Sequence, residues 1–114
     1  MEKSGKIEVR SKIWLEVDGE PVLGGGREEL LRQIGRHGSI NAAARQMKIS
    51  YRKAWTAIAA MEERLGFPLV HRQKGGAGGG ESTLTPEAEA LLEKFDRLCA
   101  GINAMVDGKF QEIF

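Results

Sequence analysis

Two short amphipathic segments lie in residues 39–65, which read SINAAARQMKISYRKAWTAIAAMEERL. A serine precedes each segment, and serine is a preferred N-cap residue because its hydroxyl accepts a hydrogen bond from a free amide of the first turn. Ser39 therefore predicts one helix through about Met47, and Ser50 predicts another through about Leu65. Only two residues separate these helices, so they must cross closely.

The apolar residues of this segment have the spacing of such a crossing pair. Apolar side chains lie three, five, ten and fourteen residues after Ala44, at Met47, Ile49, Ala54 and Ile58. Alanine at position 44 lets the second helix pass close by, and Ile49 fills the turn. This spacing predicts a helix-turn-helix motif. Lys48 lies where many such turns have glycine, so we expect some backbone strain there.

The outward side of the motif carries side chains of the types that reach base edges and phosphates. The candidates at the two helix starts and on the second helix are Ser39, Asn41, Ser50, Tyr51, Arg52, Lys53, Trp55 and Thr56. Arginine bonds guanine through two hydrogen bonds, threonine contacts base edges, and tyrosine bonds phosphate. Helix starts also hold phosphates through their backbone N–H groups. A helical hairpin with a solvated basic face is the alternative interpretation.

The charges are divided unevenly along the chain, although the net charge is only +1. Residues 45–74 have seven basic and two acidic side chains, a net charge of +5. Residues 75–114 have three basic and seven acidic side chains, a net charge of −4, and residues 1–44 are balanced. This division suggests that one surface faces a polyanion and another is turned away from it.

A glycine-rich hairpin is predicted directly after the motif, over residues 69–84. Leu69-Val70-His71 and Thr83-Leu84 have the composition of short strands, with a loop from Gln73 to Ser82 between them. The loop lacks the Gly-Lys-Ser/Thr ending of a nucleotide-binding loop. We interpret it as a wing on the DNA backbone or minor groove, with candidate contacts at Arg72, Lys74, Gly75 and Gly76. A hairpin tip without any contact is the alternative.

The segments on either side complete one domain over residues 1–114. Apolar and polar residues alternate over residues 7–17, and Asp18-Gly19 is a turn signal, so an N-terminal hairpin is predicted over residues 7–23. A first helix is predicted from Arg27 to His37, where glycine follows. The predicted fold class is α+β, mainly α: a winged helix-turn-helix with an N-terminal hairpin and a long C-terminal helix.

That last helix is predicted over residues 85–108, since Thr85-Pro86-Glu87 is a strong helix start. Its apolar stripe is larger than a small domain covers alone, so we predict a two-fold homodimer that binds a palindromic site. The predicted dimerisation residues are Leu91, Phe95, Leu98, Ile102 and Met105.

Composition and spacing argue against other kinds of chemistry. The single cysteine, Cys99, cannot form an intrachain disulfide and fits a cytoplasmic location. His37 and His71 are far from residues at metal-ligand spacing, so no metal site is expected. No nucleophile and base are paired, so we do not expect an enzyme. No apolar run approaches the roughly 20 residues of a membrane span, and no membrane partner is expected.

Two of these motifs resemble a known family. Residues 38–44, GSINAAA, and 49–55, ISYRKAW, resemble the N-terminal DNA-binding domain of the molybdate-responsive ModE regulators. Residues 58–72 also resemble the wider LysR-type winged helix-turn-helix domain. The resemblance implies dimerisation through the long final helix and insertion of the third helix into the major groove. Nothing here matches the oxyanion-binding motif of these regulators, so we expect their molybdate-binding modules to be absent and no cofactor.

The predicted function is therefore sequence-specific binding of double-stranded DNA as a transcriptional regulator. The main alternative is a winged-helix module that binds another protein and not DNA, because a fold does not dictate a function. Arg52 and Lys53 on the outward face of the third helix favour DNA.

Overall fold

The computed structural model describes residues 5–73 and 81–114. In chain order its elements are β1 Leu15–Val17, β2 Glu20–Leu23, α1 Arg27–His37, α2 Ile40–Met47, α3 Tyr51–Leu65, β3 Val70–Gln73, β4 Glu81–Leu84 and α4 Pro86–Ile113. The strands form two antiparallel pairs, β1 with β2 and β3 with β4. The predicted α+β, mainly helical winged helix-turn-helix fold is confirmed.

Three helices begin at the predicted hydroxyl caps. Ser39 Oγ accepts a hydrogen bond from the amide of Ala42, and Ser50 Oγ accepts one from the amide of Lys53, each at 3.0 Å. Thr85 Oγ1 caps α4 in the same way. Each cap satisfies an amide that the helix leaves free and contributes about 1 kcal/mol.

The turn between α2 and α3 is as short as the sequence predicted. Lys48 adopts the left-handed conformation, with φ +59°, and its N–H is directed at the last carbonyls of α2. The amide of Ile49 then donates to the carbonyl of Ala44 at 3.0 Å. Ala44 and Ala54 are both buried, as close packing of the two helices requires. Only a few residues other than glycine adopt this backbone conformation, and the strain expected at Lys48 follows from it.

One hydrophobic core holds these elements together. It draws side chains from β2, from all four helices and from β3, and its largest fully buried members include Leu23, Leu31, Ile34, Ile58, Met61 and Leu69. The helix α4 contributes Ala88, Leu92 and Phe95, which all lie in its first half. The second half of α4 therefore extends past the core.

The prediction of a strand over residues 7–17 is wrong for its first part, because β1 begins only at Leu15. Its partner β2 has four residues and ends next to Gly24, which has φ +96°. A Cβ at Gly24 would lie 2.4 Å from the Cβ of Trp14, so the chain is packed tightly at this point. Residues 5–14 have no partner strand, and Ser11 Oγ instead donates to Asn103 Oδ1 of α4 at 2.5 Å.

The other boundaries differ less from the prediction. The helix α4 continues to Ile113 and not to residue 108, and the rings of Phe110 and Phe114 stack at its end, 4.9 Å apart. In the wing, β4 begins at Glu81, two residues before the predicted strand, and Val70 pairs with Leu84. Lys74, Gly75 and Gly76 lie outside the described residues.

We expect Lys48→Gly to increase the free energy of unfolding by about 0.5–1 kcal/mol. Glycine adopts a left-handed backbone without the penalty of a Cβ, which exceeds the entropy that a flexible glycine loses on folding. Urea denaturation would measure this as a higher midpoint with an unchanged slope.

The matched control is Asp18→Gly, at the other non-glycine residue with positive φ (+51°) among those described. Aspartate tolerates this conformation better than lysine, so the gain there should be smaller. A larger gain at Asp18 than at Lys48 would contradict the assignment of strain to the turn.

Candidate nucleic-acid interface

The helix α3 has one buried and one exposed side, in the orientation that its apolar spacing predicted. Ala54, Ile58 and Met61 are buried in the core. On the other side, Tyr51 is 51% exposed and Trp55 is 42% exposed. Arg52, Lys53 and Thr56 are exposed beside them. The structure therefore brings these five predicted side chains to one surface, where aromatic, basic and hydroxyl groups lie side by side.

The starts of α2 and α3 carry the other predicted contacts of the helix-turn-helix. Ser39 and Ser50 use their hydroxyls for the helix caps, and Asn41 is exposed in the first turn of α2. Neither helix has an acidic residue in its first turn, whereas α1 and α4 have two each. Since the backbone amides at a helix start favour anions, the amides of these two starts suit phosphate better than those of α1 and α4, which lie beside carboxylates.

Arg72 connects the wing to α3. Its guanidinium carbon lies 4.8 Å from the ring centroid of Trp55, within the range of a cation–π interaction. Its Nη2 is 3.8 Å from a carboxylate oxygen of Glu62. The sequence predicted Arg72 and Trp55 as separate contacts on two elements, and the structure places them together.

Glu62 is a functional candidate that the sequence analysis missed. One of its carboxylate oxygens accepts hydrogen bonds from the amides of Leu69, at 2.7 Å, and Val70, at 3.2 Å. The other oxygen is the one nearest to Arg72. This single carboxylate therefore fixes the start of the wing against the end of α3. The sequence offered one signal for this role, an acidic residue within a basic segment. No spacing rule predicts its contact with β3.

The predicted dimerisation residues differ in how much surface they expose. Leu98 is 43% exposed and Met105 is 58% exposed, while Leu91 and Ile102 are half-buried. Phe95 is only 4% exposed, since it packs in the core of its own chain, so it has little surface to give to a partner. The place of Phe95 in a dimer interface stays a prediction.

The end of α4 carries an apolar groove that the sequence analysis did not include. It has a volume of about 340 Å³ and is lined by Val9, Met105, Val106, Lys109, Phe110, Ile113 and Phe114. Ile113 and Phe114 are among the most exposed large apolar residues of the described chain. The apolar surface of α4 therefore continues past residue 108, where the helix was predicted to end. Val9 of the N-terminal segment lines the same groove.

Among the described residues, Cys99 and the potential metal ligands do not form a site. Partial burial, followed by the carboxylates of Asp96 and Glu28, raises the pKa of the Cys99 thiol although Arg32 opposes this. Little of this thiol is therefore ionised at neutral pH, and a thiol reacts mainly in its ionised form. In the described part of the chain no three metal-ligating side chains are grouped, and none of its helices has the length and apolarity of a membrane span.

Comparison with known proteins agrees with this geometry. Residues 28–89 match the family described as "Bacterial regulatory helix-turn-helix protein, lysR family". The chain is 42% identical over 80 residues to the molybdenum-pterin-binding protein MopB of Rhodobacter capsulatus. It is 44% identical over 72 residues to the transcriptional regulator ModE of Haemophilus influenzae. These matches cover 70% and 63% of the chain but only 30% and 28% of the two relatives.

Two solved structures share the fold. A complex of the CbnR DNA-binding domain with DNA superimposes with a TM-score of 0.56 at 23% identity, over 76% of this chain and 94% of that one. Full-length LysG from Corynebacterium glutamicum, with bound effector Arg, gives a TM-score of 0.55 at 26% identity, over 75% of this chain and 29% of that one. The family match covers more than half of the sequence, from α1 into α4. The chain thus belongs to the lysR family of bacterial regulatory helix-turn-helix proteins and contains a DNA-binding domain similar to that of the ModE regulators.

Proposed function

We propose that this domain recognises a specific double-stranded DNA sequence by inserting α3 into the major groove, and so acts in transcriptional regulation. The observation that carries this proposal is the exposed face of α3, where Arg52 and Thr56 lie between the aromatic residues and Lys53. An arginine reads guanine and a threonine reads base edges or the thymine methyl group. The start of an inserted helix is the part that reaches the bases.

The groups around α3 suit the phosphates on both sides of the groove. The starts of α2 and α3 offer amides without neighbouring carboxylates in the first turn. Arg72 is held above Trp55 at the root of the wing, where it would reach the backbone or the minor groove next to α3. The parts played by Lys74, Gly75 and Gly76 remain predictions from the sequence.

We further propose that the domain is a homodimer on a palindromic operator. Support comes from α4, which leaves Leu98 and Met105 exposed and ends in an apolar groove. Exposed apolar residues in continuous rows are typical of protein interfaces. A two-fold dimer would place two α3 helices about 34 Å apart, in successive major grooves.

The proposed contacts come from the protein alone, so we propose DNA binding without a cofactor. A bacterial regulator meets its operator in the cytoplasm, which is the location that we propose. No chemistry beyond binding is assigned to the domain.

The DNA-binding proposal is tested first by titration with random duplex DNA at about 50 and 200 mM salt. We expect affinity to fall steeply with salt, because each phosphate contact releases counterions. If the protein shows no binding at low salt, DNA binding is refuted and a protein partner for α3 becomes the better hypothesis.

We expect Arg52→Ala to relax sequence choice, at a cost of about 1–3 kcal/mol for a preferred operator selected from random DNA. The comparison variant is Arg72→Ala, which should weaken binding about equally on operator and random DNA since it removes a backbone contact. Operator and random affinities, measured side by side, separate these effects. Equal losses for Arg52→Ala on both DNAs would contradict base recognition by Arg52.

We expect Met105→Glu to convert the dimer to a monomer at micromolar concentration, because it places a charge in an apolar interface. Analytical ultracentrifugation measures this directly. Ala104→Glu is the control, since it adds the same charge on an exposed neighbour that helical periodicity turns away from Leu98 and Ile102. An unaltered protein that is monomeric at this concentration would refute the dimer.

A further inference from the structure

A basic groove runs along the flank of α3, between that helix and the start of α1. It has a volume of about 420 Å³ and is lined by Arg27, Ser50, Arg52, Lys53, Thr56, Ala57, Ala60 and Arg64. Four of these residues are cationic and none is acidic. We call this surface the α1–α3 groove. Arg27, which begins α1, was not among the predicted DNA contacts.

The α1–α3 groove is continuous with the proposed recognition face. Arg52 and Thr56 belong to both surfaces, since they lie where the exposed face of α3 turns toward the groove. Trp55 and the wing residue Arg72 lie on the other flank of the same face. A helix in the major groove has a phosphate backbone on each side. The wing would meet one backbone, and the α1–α3 groove is placed to meet the other.

Three of the four cations of the α1–α3 groove are available to an anion. Within residues 5–73 and 81–114, Arg27, Arg52 and Lys53 form no ion pair with a carboxylate. Arg27 donates one hydrogen bond to the carbonyl of Gly24, at 3.1 Å, which restrains it and leaves most of its five N–H donors. Arg64 differs, because it donates to the carbonyl of Pro21 and pairs with Glu20.

The shape of the α1–α3 groove favours an extended anion. Ala57 and Ala60 form part of its lining, and their small side chains let a ligand approach the helix closely. The lining on α3 extends from Ser50 to Arg64, which at about 1.5 Å per residue is roughly 21 Å along the axis. Its α3 cations without a carboxylate partner among the described residues are Arg52 and Lys53. A groove of this length, with Arg27, Arg52 and Lys53 in its lining, suits a chain of phosphates better than a single ion.

We propose that the α1–α3 groove binds the phosphate backbone of the DNA strand on the side of α3 away from the wing, with Arg27 as a direct phosphate contact. This inference rests on the proposed DNA-binding function and adds a contact from α1. Backbone contacts position a protein on the duplex without reading its sequence. Arg27 would therefore help to fix how α3 lies in the major groove.

The first test is Arg27→Gln, with binding to one random duplex measured from about 50 to 200 mM salt. Losing one phosphate contact should make the slope of log affinity against log salt shallower by about 0.9. The loss of DNA affinity of Arg27→Gln, relative to the unaltered protein, should therefore be about 3.5-fold smaller at the high end of this salt range than at the low end. Arg27→Lys, which keeps the charge, should retain the slope. Arg10→Gln is the charge-matched control, since Arg10 is highly exposed in the N-terminal segment.

The second test changes the lining of the α1–α3 groove, with Ala60→Glu compared with Ala60→Gln. The two new side chains have nearly the same size and helix propensity, so they differ mainly in charge. We expect Glu to weaken DNA binding well beyond Gln, and circular dichroism would verify that both variants fold.

The outcomes separate this inference from the proposed function. If the unaltered protein binds DNA while Arg27→Gln keeps its slope and the two Ala60 variants bind alike, the groove proposal is overturned and the function stands. If the unaltered protein does not bind DNA, both are overturned. A shallower slope for Arg27→Gln, rescued by Arg27→Lys, supports the groove as a phosphate site.

Discussion

The close packing of α2 against α3 is the constraint on which the rest of the structure depends. Ala44 and Ala54 are fully buried there, and side chains larger than methyl groups would force the helices apart. This packing sets the rotation of α3 about its axis. With Ala54, Ile58 and Met61 facing the core, Arg52 and Thr56 must face outward. The left-handed Lys48 is the local strain that the short turn between the helices requires.

Helices could be predicted from the sequence because their signals are local. Ser39, Ser50 and Thr85 cap their helices at the expected residues, and the spacing of apolar residues identified the buried face of α3. Local signals could not establish whether residues 7–17 form a strand. Alternation reports which side chains are buried, and Ile13 and Leu15 do pack on the core, but it says nothing about a partner strand. The short β2 supplies a partner only from Leu15 onward.

The same limit applies to the candidate site. Arg52 follows from the periodicity of its own helix, whereas the contacts of Arg72 with Trp55 and Glu62 join elements that are separate in sequence. Arg27 reaches α3 only because the core places the start of α1 beside it. Phe95 shows a second limit of sequence patterns. An apolar stripe does not distinguish the part that its own chain covers from the part left to a partner.

The uneven distribution of charge along the chain would orient the domain as it approaches DNA. The segment with a net charge of +5 contains α3 and the first strand of the wing, and the segment with −4 contains α4. In α4, exposed carboxylates share the surface with the apolar residues of the proposed dimer interface. Those carboxylates repel phosphates, while Arg52 and Lys53 attract them, so the domain would approach DNA with α3 foremost. In the proposed complex the acidic helix would thereby keep its apolar surface away from DNA and available to a second chain, so the two proposed surfaces would not compete.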